Sequence, residues 1–304
     1  MTEETMPQSQ TRSGFVALMG PTNAGKSPLL NRLVGSKVAI VSHKVQTTRS
    51  LIRGIGIFDE TQVVFVDTPG LLDPRRKLDR AMIDSAWSGA KDAELVCVVM
   101  DARKGLSEIV EAALGQLAGV RHPKWLILNK IDEMDQSELL PLIAAINEKL
   151  SFDETFPVSA LTGEGCDVLI EALKAAMRPG PWLYPEDQIS DMPMRMLAAE
   201  LTREKLYERL HEELPYVSHV VTEDWKTTPK GHRVEQTIYV ERDSQKKIVL
   251  GKGGQTVKWI SMNARKAISE AVGAPVHLFL FVKVRPNWAS DPERFNEMGL
   301  EFPT

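Results

Sequence analysis

The sequence predicts two domains, an open and mostly parallel α/β sheet followed by a smaller α+β layer, and three observations lead there. In the first half, apolar runs of strand length alternate with stretches whose apolar residues recur at helical spacing. The first run, Phe15 to Met19, feeds directly into Gly20-Pro-Thr-Asn-Ala-Gly25-Lys26-Ser27, a phosphate-loop pattern set between a strand and a helix. In the second half, beyond a proline-rich break, the order is helix, strand, strand, helix, helix, strand, with Gly-x-x-Gly between the two adjacent helices.

A chain of 304 residues is too long for one typical core and suits two. Its 37 basic side chains stand against 41 acidic ones, so a nucleic-acid site must be local rather than global. Cys97 falls in an apolar strand and Cys166 in a loop region, a pattern that suits a reducing compartment. No apolar run approaches membrane-spanning length, and Met-Thr-Glu-Glu-Thr lacks a signal-like basic and apolar start. The expectation is a soluble, cytoplasmic protein, with peripheral contact at the inner face of the membrane left open.

Residues 1–12 read as a polar tail, and the first domain as 13–178. Consecutive backbone N–H groups of the Gly20–Ser27 loop, including those of Asn23, Ala24 and Gly25, can face a phosphate chain. Lys26 adds charge to its outer oxygens, and Ser27 offers a hydroxyl to Mg²⁺. Leu29, Leu30, Leu33 and Val34 mark the helix that follows. Pro28 is the awkward position, since it has no N–H and restricts Ser27 before it.

Lys37 to Val41 is short and apolar, and Ser42 to Arg49 reads as an exposed loop. Leu51 to Phe58 and Gln62 to Val66 form a hairpin around Asp59-Glu60. The second strand delivers Asp67-Thr-Pro-Gly70 to the carboxyl rim of the sheet, where such folds bind ligands. An Asp-x-x-Gly alone is commonly just a turn. At this distance from Lys26 it is the second half of a nucleotide and metal site, Asp67 holding Mg²⁺ through water and the Gly70 N–H meeting the terminal phosphate.

A mobile segment and helix over 71–89, a strand from Leu95 to Met100 ending at Asp101, and a helix from Ile109 to Ala118 come next. The core strand Trp125 to Leu128 presents Asn129-Lys-Ile-Asp132 at the same rim. The Asp132 carboxylate can accept from both the ring N–H and the exocyclic amine of guanine, a donor pair adenine lacks, while the stem of Lys130 covers the base. A helix over 139–150, a strand over 155–158, the loop Ser159-Ala160-Leu161 behind the base, and a helix over 168–177 complete the domain.

Residues 179–193, rich in proline and acidic turn residues, read as a linker, and 194–290 as the second domain. A helix over 195–214 carries Leu197, Leu201, Leu206, Leu210 and Leu214 on one stripe. Strands follow over 216–227 and 234–241, with a short helical or extended lead over 247–250 into Gly251-Lys252-Gly253-Gly254. A helix over 255–271 and a strand over 276–284 end the layer. Residues 246–288 hold eight Lys or Arg and one acidic residue, Glu270, inside an acidic chain. Lys246, Lys247, Lys252, Lys258 and Arg265 can therefore track a single-stranded phosphate backbone, and the glycines let it approach without a Cβ in the way. Val249, Leu250, Val257 and Ile260 are the expected apolar platform beside the bases. Trp288 and the acidic segment 291–304 are either terminal packing or an edge of this groove. No histidine pairs with a cysteine at metal-ligand spacing.

Taken together, the Ser27 loop, Gln46-Thr-Thr-Arg49, Asp67-Thr-Pro-Gly70, Asn129-Lys-Ile-Asp132, Ser159-Ala-Leu161 and Gly251-Lys-Gly-Gly254 resemble the bacterial Era GTPases over about residues 13–290. The resemblance implies an α/β P-loop GTPase domain with a mostly parallel sheet, followed by a small α+β type II KH domain. It implies GTP as substrate, GDP as product, Mg²⁺ as cofactor, and the 3′ end of 16S-type small-subunit ribosomal RNA in the 30S particle as partner. It also implies a monomeric, cytoplasmic protein with peripheral membrane behaviour. By the same resemblance Thr48, or else Thr47, closes on Mg²⁺ with Ser27 and Asp67. Lys26, Thr48, Asp67 and Gly70 surround the chemistry, Asn129 and Asp132 read the base, and Ala160 gives its carbonyl a backbone N–H. Leu71 stands where some GTPases carry a water-orienting glutamine, so hydrolysis is expected to be slow. Two other functions are weighed: an RNA-binding assembly protein whose nucleotide domain is weakened, which Pro28 favours, and an ATPase or nucleoside kinase, which Asp132 disfavours.

Overall fold

The computed structural model describes residues 11–42, 44, 47–71, 74, 76–211, 214–288 and 291–303. By packing, the chain divides into two compact units. One holds the residues up to 36 with 52–68 and 87–191, and the other holds 37–51, 69–86 and everything from 192 on.

The first unit is built on a sheet in the order β2-β3-β1-β4-β5-β6: β1 (Arg12–Met19), β2 (Ile52–Phe58), β3 (Thr61–Asp67), β4 (Leu95–Asp101), β5 (Lys124–Asn129) and β6 (Glu154–Val158). Only β2 runs antiparallel among these, paired to β3 by the hairpin that Asp59, with φ 51°, turns. Every residue of β3 and β4 is buried, which is why their inner stretches Val63–Val66 and Leu95–Met100 read as unbroken apolar runs. Helices α1 (Lys26–Val34), α3 (Glu108–Leu117), α4 (Gln136–Lys149) and α5 (Cys166–Ala176) join the strands. Because β1, β3, β5 and β6 are parallel, their carboxyl ends deliver Gly20, Asp67, Asn129 and Ser159 to one rim.

The strand expected from Phe15 begins at Arg12, so the end of the polar stretch is ordered; residues 1–10 lie outside the described ones. Residues 179–193 have no period, yet they are tied down. β7 (Arg178–Pro179) pairs antiparallel with β1, the Gln62 side chain accepts from the Leu183 and Tyr184 N–H groups at 2.8 and 2.9 Å, and the Ile55 N–H donates to Ile189 at 2.9 Å. This stretch therefore covers the exposed edge that β2 would otherwise present.

The second unit contains a three-stranded sheet, β10-β9-β8, from β8 (His219–Thr228), β9 (Gly231–Val240) and β10 (Val276–Val284), with β9 and β10 parallel. Helices α6 (Met194–Arg209), α7 (Asp243–Leu250) and α8 (Gln255–Val272) carry its core, where Leu206, Ile238, Val240, Val249 and Ile260 meet. α6 stops at Arg209 rather than 214 as its leucine stripe suggests; Leu210 turns extended, yet Leu210 and Leu214 still reach the same core. The lead expected over 247–250 is a full helix from Asp243. Its start is fixed by Gln245, whose side chain accepts from the Glu241 and Arg242 N–H groups at 2.8 and 3.1 Å. Helix α2 (Lys77–Lys91) begins in this unit and ends in the first.

Candidate functional site

The phosphate loop leaves β1 at Gly20 and enters α1 through Gly25, which adopts φ 95°. A Cβ at Gly25 would lie 2.1 Å from Asn129 Nδ2, so close approach and backbone conformation both demand glycine. The Lys26 ammonium is buried and donates to the Gly20 and Pro21 carbonyls at 3.0 and 2.9 Å, folding the loop over its own lysine. Burial pulls its pKa down to about 8, against the opposing pull of Asp67.

Asp67 ends β3 in register with Leu18 and is fully buried. Its Oδ2 accepts from Ser27 Oγ at 2.6 Å. A hydroxyl and a carboxylate held this close are the hard oxygen donors Mg²⁺ takes when phosphates and water complete its shell. Among the described residues no cluster of three or more His, Cys, Asp or Glu could hold a metal by itself. Pro28 is the third residue of α1, where an N–H would have no intrahelical partner, and the turn closes normally with Leu29 N–H donating to Gly25 at 2.9 Å.

Asn129 ties the loop after β1 to the loop after β6. Its Nδ2 donates to Ala24 at 3.0 Å, and its Oδ1 accepts from Ala160 N–H at 3.0 Å and Lys130 N–H at 2.9 Å. Lys130, at φ 71°, reaches back to the Asn23 carbonyl at 2.9 Å and to Asp101 at 2.8 Å. Burial alone would raise the Asp101 pKa, but its hydrogen bonds to Arg103 and Lys130 bring it down to about 2. Asp132 is exposed on the turn Ile131–Glu133 after β5. Ser159 is buried and its Oγ accepts from Thr162 N–H at 3.0 Å, while Leu161 projects outward.

Sequence reasoning passed over Arg32, which reaches from α1 to this loop, and gave Asp101 no role beyond ending its strand. A polar residue on an exposed helix face carries no local signal. Asp101 had one, the same rim position as Asp67 and Asn129.

In the second unit, the expected exposed loop over 42–49 proves held where it is described. Thr48, Arg49 and Ser50 are buried; Gln46 lies outside the described residues. Arg49 donates to the Ser218 and Tyr216 carbonyls at 3.0 and 3.1 Å, and Arg203 of α6 donates to the Thr47 carbonyl. Glu204 accepts from Val41 N–H at 2.9 Å and Lys37 at 2.6 Å. Farther on, Leu78, Ala81 and Met82 of α2 pack with Trp288, Phe295, Met298 and Leu300, the last helix being α9 (Pro292–Glu297). Trp288 and the terminal segment are thus packing elements. Thr48, Gly70 and Leu71 belong to this unit, whereas Lys26, Ser27, Asp67, Asn129 and Ala160 come together in the first.

The glycine loop joins α7 to α8, with Gly251, Gly253 and Gly254 at φ 74°, 59° and 75°. Beside Gly253 and Gly254 a Cβ would meet nothing within 4 Å, so the loop's outer side is open to a backbone. Lys247, Lys252, Lys258 and Arg265 are exposed, and none has an ion-pair partner among the described residues. The expected apolar platform is displaced. Val249 and Ile260 are fully buried in the core, and the exposed apolar groups near the loop are Ile248 and Met262. Lys258, Met262 and Arg265 follow at helical spacing and share a face of α8.

A family model described as 50S ribosome-binding GTPase matches residues 15–130, and one described as KH domain matches residues 213–289. The chain is 61% identical over 294 residues to GTPase Era of Sinorhizobium medicae, covering 96% of this chain and 95% of that one. It is 62% identical over 304 residues to GTPase Era of Afipia carboxidovorans, covering 99% of each. A crystal structure of Era in complex with MgGDPNP and nucleotides 1506–1542 of 16S ribosomal RNA matches with TM-score 0.91 at 34% identity, over 95% of this chain and 99% of that chain.

Proposed function

The chain belongs to the Era family of GTPases, and we propose that its GTPase cycle governs binding of the 3′ end of small-subunit ribosomal RNA during 30S maturation. It binds and hydrolyses GTP and binds RNA. The observation that carries the more specific reading is the open Gly253-Gly254 corner flanked by exposed Lys247, Lys252, Lys258 and Arg265, a surface for a single-stranded backbone. The solved Era that this chain resembles was crystallised with MgGDPNP and nucleotides 1506–1542 of 16S ribosomal RNA.

In the nucleotide site, loop N–H groups from Asn23 to Ser27 cradle the phosphates, and Lys26 leaves its carbonyl partners to neutralise the outer oxygens. Asp132 takes the two guanine donors, Lys130 lies along the base, and the Ala160 N–H leaves Asn129 Oδ1 to meet the base's carbonyl. Ser27 and Thr48 are assigned as Mg²⁺ ligands, Asp67 as holder of its water. When bound, Mg²⁺ would supply positive charge against the negative charge that develops on the phosphates. The Gly70 N–H meets the terminal phosphate. No side chain at position 71 can guide the attacking water, because Leu71 is apolar and buried, so turnover is slow without a partner that supplies one.

The working boundaries are 13–178 for the GTPase domain and 194–290 for the RNA-binding domain. No helix among the described residues is long and apolar enough to cross a membrane. We place the protein in the cytoplasm as a monomer, with any membrane contact peripheral. The ATPase and kinase alternatives fall with family membership, and the weakened-nucleotide-domain alternative narrows to the effect of Pro28.

The test is the double exchange Gly253→Asp with Gly254→Asp, assayed against a 3′-end fragment of small-subunit ribosomal RNA over a salt series. Affinity is expected to fall by at least about tenfold, with a shallower salt dependence and unchanged GDP binding. Unaltered RNA affinity in the folded double variant overturns the groove assignment.

A further inference from the structure

Arg32 sits six residues along α1 from Lys26 and reaches the loop after β6. Its Nε donates to the Ala160 carbonyl at 3.0 Å and its Nη2 to the Leu161 carbonyl. Gly163 lies alongside, where a Cβ would stand 3.7 Å from Nη1. The loop's other ties include Thr162 N–H to Ser159 Oγ, Gly163 N–H to the Ser159 carbonyl at 2.8 Å and Ser159 N–H to the Glu164 carbonyl at 2.9 Å, which turn it into a closed bend. Asn129 links that bend to the phosphate loop, accepting from Ala160 N–H and donating to Ala24, but it does so through the donor that base reading takes away. Arg32 holds the bend to α1 without using that donor.

We propose that Arg32 is a positioning residue for guanine selectivity, holding Ala160 and Leu161 by their carbonyls at a set distance from the phosphate loop. The inference rests on the reading of Ala160 as the donor to the guanine carbonyl. A diphosphate at one end and a base at the other must be met simultaneously, so the two sets of backbone donors need a rigid spacer. Helix α1 is that spacer: it begins with Lys26 and Ser27 and reaches Arg32 about 9 Å farther along its axis. A planar guanidinium engaging two successive carbonyls fixes the peptide's rotation as well as its place. An ammonium at the same position supplies a point charge without that fork.

The test uses the full chain, Arg32→Ala and Arg32→Lys, each titrated with GDP, ADP, 6-thio-GDP and inorganic pyrophosphate. The thio analogue keeps the donors read by Asp132 and weakens only the acceptor read by Ala160. Arg32→Ala is expected to bind GDP about tenfold more weakly and pyrophosphate within twofold of the parent, so the preference for GDP over ADP and over 6-thio-GDP shrinks. Arg32→Lys is expected to recover less than half of that loss on a logarithmic scale. Parallel losses for GDP and pyrophosphate would mean that Arg32 merely supports the phosphate loop, and would overturn the proposal, as would unchanged GDP affinity. A parent protein that binds 6-thio-GDP as tightly as GDP defeats the Ala160 reading itself. A parent that discriminates while Arg32→Ala discriminates equally well defeats only the role of Arg32.

Discussion

The rim of the first unit and the grip of the second on residues 37–51 and 69–86 are built by opposite means. At the rim, Lys26 closes on Gly20 and Pro21, and Ser27 on Asp67. Asn129 closes on Ala24 and Ala160, through short polar groups and backbone already inside the motifs. In the second unit Thr47 and Arg49 are held by Arg203, Ser218 and Tyr216, side chains and carbonyls more than 150 positions away that belong to no motif. A floor that supplies its own partners can stay shaped through a reaction cycle. Segments whose partners are borrowed can be released when those partners change, which is what a γ-phosphate-dependent switch requires.

The comparison breaks most visibly at Trp288, whose side chain is fully buried, donates to the Val217 carbonyl at 2.8 Å and stacks on His219. Trp288→Ala should cost about 3–5 kcal/mol of local stability by the scale for large buried aromatics. Hydrogen exchange should show lost protection at Leu78, Ala81 and Met82, while GDP affinity stays within about twofold. If protection there is retained, the terminal segment does not hold α2.

Asp132→Ala probes the rim in turn. Removing the acceptor for two base donors should cost about 2–4 kcal/mol of GDP affinity and leave ADP nearly untouched. Equilibrium titration of both nucleotides decides it, and a parent protein that binds GDP and ADP equally would reject base reading by Asp132 altogether.

These contrasts also explain what was legible from sequence. The rim is written in motifs because each residue's chemistry is served by neighbours at fixed spacing, and the sheet order follows from apolar periodicity. The burial of Thr48 and Arg49 was not legible, since a polar segment without a period reads as exposed until a distant Arg203 or Ser218 is known to satisfy it. The platform error at Val249 and Ile260 has a different cause: helical spacing identified an apolar face correctly, but that face turns to the core. Only the sheet beneath α7 and α8 determines that Ile248 and Met262 are the groups left outside.

Pro28 sharpens the comparison from within the self-sufficient region. The helix tolerates it, so any penalty falls on ligand rather than fold. Without an N–H at this position, one charge-assisted bond to phosphate is lost, worth roughly 1.5–3 kcal/mol or one to two decades of affinity. Pro28→Thr is therefore expected to bind GDP and GTP more tightly in Mg²⁺-containing calorimetry and to hydrolyse GTP faster, with RNA affinity unchanged. Affinities matching within twofold would mean the loop makes up the missing bond.

The smallest effect concerns the proton on Lys26. Burial brings its pKa from 10.5 to about 8, with Asp67 pulling the other way. In the unfolded chain it stays protonated to much higher pH. Between pH 8 and 10.5 the unfolded state therefore binds more protons, so this group's contribution to stability rises with pH across that window. Below pH 8 both states are charged, and the cost of burying the ammonium is fully present. Nucleotide reverses the balance at the site, because phosphate oxygens favour the charged lysine and raise its pKa. Binding at pH 8 must then draw about half a proton per site from solvent, and binding at pH 7 should draw almost none. The expected consequence is a GDP affinity that weakens by up to about tenfold per pH unit above 8, where the empty protein has lost the charge that the complex needs. Calorimetry at pH 7 and pH 8 in two buffers of different ionisation enthalpy measures the uptake directly. Equal proton uptake at the two values would place the lysine outside the phosphate site or leave it charged throughout. Lys26→Met, which retains the stem and removes the titrating group, should abolish the difference between the two pH values.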